Sequence, residues 1–132
     1  MSAALDLRLV VLPGDYVICR LEPDDDPPAP GADGLFSVTR TDEEISVVCP
    51  AVSAPAGARR EGPFAALRVA GTLPFSLTGV LAGLTGGLAA AGVSVFAIST
   101  YDTDYLLVPR DRLGPAVEAI RAAGHGVADP NG

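Results

Sequence analysis

Between Phe64 and Val108 the chain reads FAALRVAGTLPFSLTGVLAGLTGGLAAAGVSVFAISTYDTDYLLV, and this stretch restricts the fold more than any other. Leu77, Val80, Leu81, Leu84, Leu88 and Ala91 recur three or four residues apart, which puts one apolar stripe on a 3.6-residue period and predicts a helix. Ser76 is placed to cap it and Gly92 to end it in a left-handed turn. Val93 to Thr100 is rich in β-branched and aromatic residues, so it reads as a strand. The turn Asp102-Thr103-Asp104 then leads into the apolar run Tyr105 to Val108, which makes a hairpin. A second helix is signalled by Asp111 as cap, by Leu113, Ala116, Val117 and Ile120, and by Gly124 as its closing glycine. A short strand at Gly126 to Ala128 completes βαββαβ, the ferredoxin-like order, with polar residues gathered at one end.

The pieces LRVAG, PFSLTGVLA and GVSVFAISTYDTDYLLVP resemble an ACT domain of the regulatory, amino-acid-sensing class. Within that class they are most similar to the CASTOR-type cytosolic arginine sensors and their short bacterial relatives. The most specific piece is ISTYDTDYLLVP, Ile98 to Pro109, whose order of small polar, aromatic and acidic residues is not a generic strand pattern. The resemblance implies a non-enzymatic regulatory protein that binds an amino acid where two ACT units meet.

The first half reads as a worn copy of the second. Phe36 to Val48 aligns without a gap on Phe96 to Val108 at an offset of 60, matching Phe36 with Phe96, Val38 with Ile98, Thr39 with Ser99 and Asp42 with Asp102. At the same offset Leu7, Arg8 and Leu9 fall on Leu67, Arg68 and Val69. The expected fold is therefore α+β, two ferredoxin-like (βαββαβ) ACT units in tandem with the N-terminal one degenerate, divided as residues 1–62 and 63–132. The first helix slot of the N-terminal copy holds Val17 to Gly31, where prolines 23, 27, 28 and 30 forbid a regular helix. Tyr16 to Leu21 is open between a strand and a loose turn. The segment from Glu22 to Gly34 reads as a solvated connector, and AVSAPAGARREGP (residues 51–63) as a loop.

Charge and composition narrow the function. With a net charge of −7, nine arginines and no lysine, the chain lacks the clustered cations that phosphate backbones demand, so no nucleic-acid partner is expected. Arg59-Arg60 reads as a solvated loop. Mean hydropathy is +0.36, yet no apolar run reaches the roughly 18 residues of a membrane span, and no basic leader precedes the first strand. The expectation is a cytoplasmic protein with no membrane partner. Cys19 and Cys49 lack CxxC or CxH spacing and read as buried thiols in strands rather than a metal pair or redox couple. Asp24-Asp25-Asp26 lacks the alternating ligands of a calcium loop.

Nothing in the sequence builds a catalytic centre, a metal site or a cofactor cradle. His125, the one histidine, follows a helix between two glycines with no adjacent acid or nucleophile. Ser76, Thr78, Ser99 and Thr100 are hydroxyls without a base, explained by caps and strand-end hydrogen bonds. Glycines 79, 83, 86 and 87 form no phosphate loop and read as small residues for close helix packing.

The binding hypothesis centres on the loop PFSLTGV. If the strand ends at Thr72 to Pro74 and the helix starts at Ser76, the free NH groups of Leu77, Thr78 and Gly79 make a seat for a carboxylate. The ACT resemblance puts ligand contacts on Phe75, Ser76, Leu77, Thr78, Gly79 and Val80, and completes the pocket across an interface with Ser94, Val95, Thr100 and Asp104. Asp104 would receive an ammonium or guanidinium. Where the arginine-binding unit carries an acid in this loop, this chain has Leu77, so the ligand is arginine or another amino acid. Because the CASTOR-type sensors resemble two fused copies of such a chain, a homodimer is expected. The alternative is a protein-interaction module that uses the ACT fold without a ligand, with the TYDTD turn as its contact surface.

Overall fold

The computed structural model describes residues 6–31, 33–71 and 79–129. Eight strands and two helices follow in the order β1 (Arg8–Val11), β2 (Tyr16–Leu21), β3 (Ser37–Arg40), β4 (Ile45–Pro50), β5 (Arg59–Val69), α1 (Val80–Ala90), β6 (Phe96–Ser99), β7 (Asp104–Pro109), α2 (Leu113–Ala122) and β8 (Gly126–Ala128). Single 3-10 turns at Ala51–Ser53 and Arg110–Arg112 follow β4 and β7. Neither helix is long and apolar enough to cross a membrane.

The chain forms two compact units, and they are not consecutive halves. Unit two is Pro13–Phe64, inserted between the segment ending at Leu12 and the stretch beginning at Ala65, which together make unit one. The division expected between residues 62 and 63 thus falls two residues later, inside β5, and β1 goes with the C-terminal unit. The reason is strand pairing. β1 lies antiparallel to the second half of β5, Leu9 opposite Val69, and parallel to β8, Leu9 opposite Val127.

Unit one has the elements of a βαββαβ order, with β1 added between β5 and β8. Period-two alternation on its strands sends Leu9 and Val11, Ala65, Leu67 and Val69, and Leu106 and Val108 to one face. Leu84 and Leu88 of α1 and Ala116 and Ile120 of α2 complete that core. Each fully buried leucine contributes about 1.5–3 kcal/mol. Both helices end in the same hydrogen-bond pattern: Gly92 N donates to Ala89 O and Val93 N to Leu88 O, while Gly124 N donates to Arg121 O and His125 N to Ile120 O. These closing glycines are as the sequence implies. The opening of α2 differs: it starts after Arg112, because Asp111 belongs to the preceding 3-10 turn, while Gly79 stands at the N-cap of the described α1 and Ser76 lies outside the described residues.

Unit two is antiparallel β throughout its regular part, in the order β3, β4, β2 and the first half of β5. Tyr16–Leu21 is a strand. Val17, Cys19, Ile45, Val47 and Cys49 form its core, so both cysteines are buried, free thiols on strands. No helix beyond one 3-10 turn occurs among its described residues, so it lacks the α elements of a ferredoxin-like unit. The stretch 59–63, read as loop, is strand: Cys19 pairs with Arg60 and Arg20 with Arg59.

The two hairpins correspond to each other, but one residue away from the alignment read off the sequence. Arg40 pairs with Ile45 across the turn 41–44, and Ser99 pairs with Asp104 across the turn 100–103. Thr41 N donates to Glu44 O at 2.9 Å, and Thr100 N to Thr103 O at 2.8 Å. Both hairpins run on into a proline and a 3-10 turn, Pro50 then Ala51–Ser53 and Pro109 then Arg110–Arg112. The offset is therefore 59, with Thr41 on Thr100 and Pro50 on Pro109. An offset of 60 would place every side chain on the wrong face.

Candidate functional site

The polar end of unit one is built where β5 stops and the β6–β7 hairpin turns. Thr100 and Thr103 close that turn with each other: the Thr100 hydroxyl donates to Thr103 O at 3.1 Å, and Thr103 N donates to Thr100 Oγ1 at 3.2 Å. Thr103, 9% exposed, sends its own hydroxyl to Val69 O at 2.7 Å. Val69 is the last residue of β5, and on its other side Ala70 N donates to Arg8 O at 2.7 Å. The turn is thereby tied to the chain just before it leaves for α1. Asp104 opens β7, half-buried, and its Oδ1 accepts the Ser99 hydroxyl at 2.5 Å across the strand pair. Its carboxylate is oriented by that bond and is able to accept further donors from a ligand.

The sequence-derived site residues divide into four groups. Phe75, Ser76, Leu77 and Thr78 lie outside the described residues. Gly79 and Val80 open α1: Gly79 has φ of 82° and its carbonyl accepts Gly83 N at 2.9 Å, while Val80 packs partly against the core. Thr100 and Asp104 come together at the hairpin turn. Ser94 and Val95 do not join them. They precede β6 at the end of that strand opposite Ser99, and Ser94 is exposed while Val95 leans on the core. Six extended residues separate Ser94 from Thr100, roughly 20 Å at most.

Sequence reasoning missed Ser99 and Thr103 as positioning residues. A serine and an aspartate flanking a four-residue turn face each other across an antiparallel pair, and that spacing was the available signal for Ser99. Thr103 had none beyond its place in the turn. His125, just past the end of α2, accepts Leu7 N at its Nδ1 at 3.0 Å, and Gly126 N donates to Leu7 O at 2.9 Å, so it ties the residue before β1 to the start of β8.

Comparison with known proteins fits this architecture. Residues 59–122 match the family model of the ACT domain, and residues 14–56 match a model described as an N-terminal domain. A protein of Agrobacterium tumefaciens with a known crystal structure is 32% identical, covers 96% of this chain with 95% of its own length, and superposes with a TM-score of 0.87. This is an ACT-domain protein. It belongs to one family with the Agrobacterium tumefaciens protein. The ACT match begins with β5 and ends with α2, so it contains the hairpin turn and Asp104. Among curated relatives, subunit 1 of the human cytosolic arginine sensor for mTORC1 is 39% identical over 56 residues, 42% of this chain but 17% of that protein. The regulatory subunit of aspartate kinase from Thermus flavus shares the fold, with a TM-score of 0.57 at 12% identity over 92% of this chain and 99% of its own.

Proposed function

We propose that this ACT-domain protein is a regulatory, non-catalytic binder of an amino acid, with the ligand held at the β5–hairpin end of unit one and enclosed by a second copy of the chain. The observation that carries the reading is the fixed carboxylate. Asp104 is oriented by Ser99 on a turn that Thr103 anchors to the last residue of β5. A charged group on a preorganised turn needs little reordering to accept an ammonium or guanidinium. The match to the arginine sensor supports the ligand class, although it spans only 17% of that protein.

The separation of Ser94 and Val95 from Asp104 supports a shared site. One strand length holds the two groups apart within a chain, and they come together when two chains run their β6 strands in opposite directions about a two-fold axis. In that arrangement Ser94 and Val95 of each copy approach Thr100 and Asp104 of the other. Among the described residues β6 is paired with β7 alone, and Phe96 is 38% exposed, which fits a strand with an edge to offer. The proposed partners are therefore an amino acid and a second copy of the chain, in the cytoplasm.

Titration calorimetry against the twenty amino acids, with light scattering, tests this. A basic or neutral amino acid should bind, should favour a dimer of twice the 13.4 kDa chain, and should lose at least tenfold in affinity in Asp104→Ala. Unchanged affinity in that variant sinks the assignment. Gly79→Val is a poor probe, because φ of 82° strains any side chain there regardless of the ligand. A second reading is favoured by one observation: Tyr101, at the tip of the same turn, is 82% exposed. If no amino acid binds, the hairpin tip is the contact surface for a protein target.

A further inference from the structure

Unit two carries a pocket that the amino-acid reading does not use. It has a volume of about 500 Å3 and is walled by residues 13–16 around the start of β2, by Gly31, Asp33 and Gly34 ahead of β3, and by residues 50–53 after β4. That size suits a small molecule. The pocket lies at the Pro50 end of the β3–β4 hairpin, away from the turn 41–44. Since that turn is the counterpart of 100–103, the pocket occupies a different place in the repeat from the Asp104 site.

Its walls are held in place by the chain's own contacts. Tyr16 is 2% exposed and its hydroxyl accepts Leu35 N at 3.0 Å. Gly34, with φ of +82°, lies so close over that hydroxyl that a Cβ would collide with it. Ala51 N donates to Asp15 O at 2.8 Å, which ties the wall after β4 to the wall before β2. A preformed cavity binds with a smaller ordering penalty than one that must assemble.

The lining also selects its chemistry. Pro13, Pro50, Ala51 and Val52 are apolar, Val52 standing 96% exposed, while Asp15 and Asp33 are the charged residues and, among the described residues, no lysine, arginine or histidine lines the space. An anion would meet no cation there. A free α-amino acid would bring its carboxylate against two aspartates, whereas the corresponding amine brings only the charge that the wall complements. We propose that this pocket binds a small amine lacking a carboxylate, with its ammonium at Asp33 and its apolar body against Pro50, Ala51 and Val52.

The test uses the full chain and two probe pairs, phenethylamine with phenylalanine and agmatine with arginine, read by calorimetry and thermal melting. At least one amine should bind in the submillimolar range and raise the melting temperature. Asp33→Asn and Val52→Arg should each weaken it tenfold or more. Gly31→Leu fills the pocket from a position where a Cβ meets Ser53 Oγ at an ordinary 3.5 Å, so it should abolish amine binding while the fold persists by circular dichroism. Asp104→Ala should leave amine binding unchanged, which separates this site from the one proposed above. The proposal is overturned if neither amine binds at millimolar concentration. It is equally overturned if the three pocket variants bind amine as the parent does, or if Asp104→Ala alone removes binding.

Discussion

Replacing Thr103 with valine tests whether the hairpin turn is held to β5 by a single hydrogen bond. Valine matches threonine in shape, so the change removes the hydroxyl without opening a cavity. What it removes is a 2.7 Å donor to Val69 O in a residue only 9% exposed. A net hydrogen bond is worth about 0.5–1.5 kcal/mol, and a buried acceptor left without its partner costs about 1–3 kcal/mol. The methyl that replaces the hydroxyl recovers roughly 0.8 kcal/mol of apolar burial. The expected loss is about 1–2 kcal/mol, or roughly 3–8 °C in melting temperature for a chain between the size classes with known scaling. Thr103→Ser keeps the hydroxyl and gives up a methyl, so it should lose no more than about 0.8 kcal/mol. Urea denaturation with an unchanged slope reads both values. Amide exchange should quicken at 100–104 in the valine variant alone. If valine is as stable as threonine, or serine falls as far as valine, the bond does not hold the turn and the argument for a preorganised Asp104 loses its support.

His125→Ala removes the acceptor of the Leu7 N–H and should cost about 1 kcal/mol, with partial recovery in His125→Asn, whose side-chain oxygen also accepts; equal melting of all three proteins would refute the role. Cys49 makes stability depend on alkaline pH. Burial pushes its thiol above the ordinary value of 9.0, the neighbouring Cys19 adds to the rise, and Arg60 opposes it. Above about pH 9 the unfolded chain therefore loses a proton that the native chain keeps, so unfolding becomes more favourable as pH rises. Denaturation between about pH 8 and 10 should show this decline flattened in Cys49→Ala; parallel slopes in the two proteins would remove the cause assigned here.

Much of unit one is legible in its sequence because the signals agree. The 3.6-residue spacing of Leu84 and Leu88, the glycines that end both helices, and the turn before Tyr105 all point to elements that are present. The opening of α2 reads less well. Asp111 is a good cap by residue type, but Pro109 and the 3-10 turn it starts take that residue before α2 begins. The membership of β1 was beyond local reasoning: its four residues pair with partners some 60 and 118 positions away, and no pattern within RLVV names them. Unit two defeats pattern reading for a related reason. Arg59, Arg60 and Glu61 look like loop by composition, and only their pairing with β2 makes them strand.

The misplaced repeat shows where such reading fails and what corrects it. At an offset of 60 the aromatic and acidic pairs Phe36 with Phe96 and Asp42 with Asp102 align, and identity is the natural guide. Both phenylalanines lie outside the buried set of their hairpins, where identity carries little information about register. Register is set by which side chains are buried. In β4, Val47, Val48 and Cys49 are buried, and in β7, Leu106, Leu107 and Val108 are, a match that holds only at 59. The residues that mark it are Thr41 with Thr100, which make the same turn, and Pro50 with Pro109, which start the same 3-10 turn. At this offset Asp104 falls on Ile45, a core residue with no exposure. Asp104, the carboxylate that Ser99 orients, is therefore replaced in unit two by a side chain facing the interior, so the proposed amino-acid site does not recur at that position. Whatever unit two binds must be held by other chemistry, as the acidic pocket at its opposite end would provide.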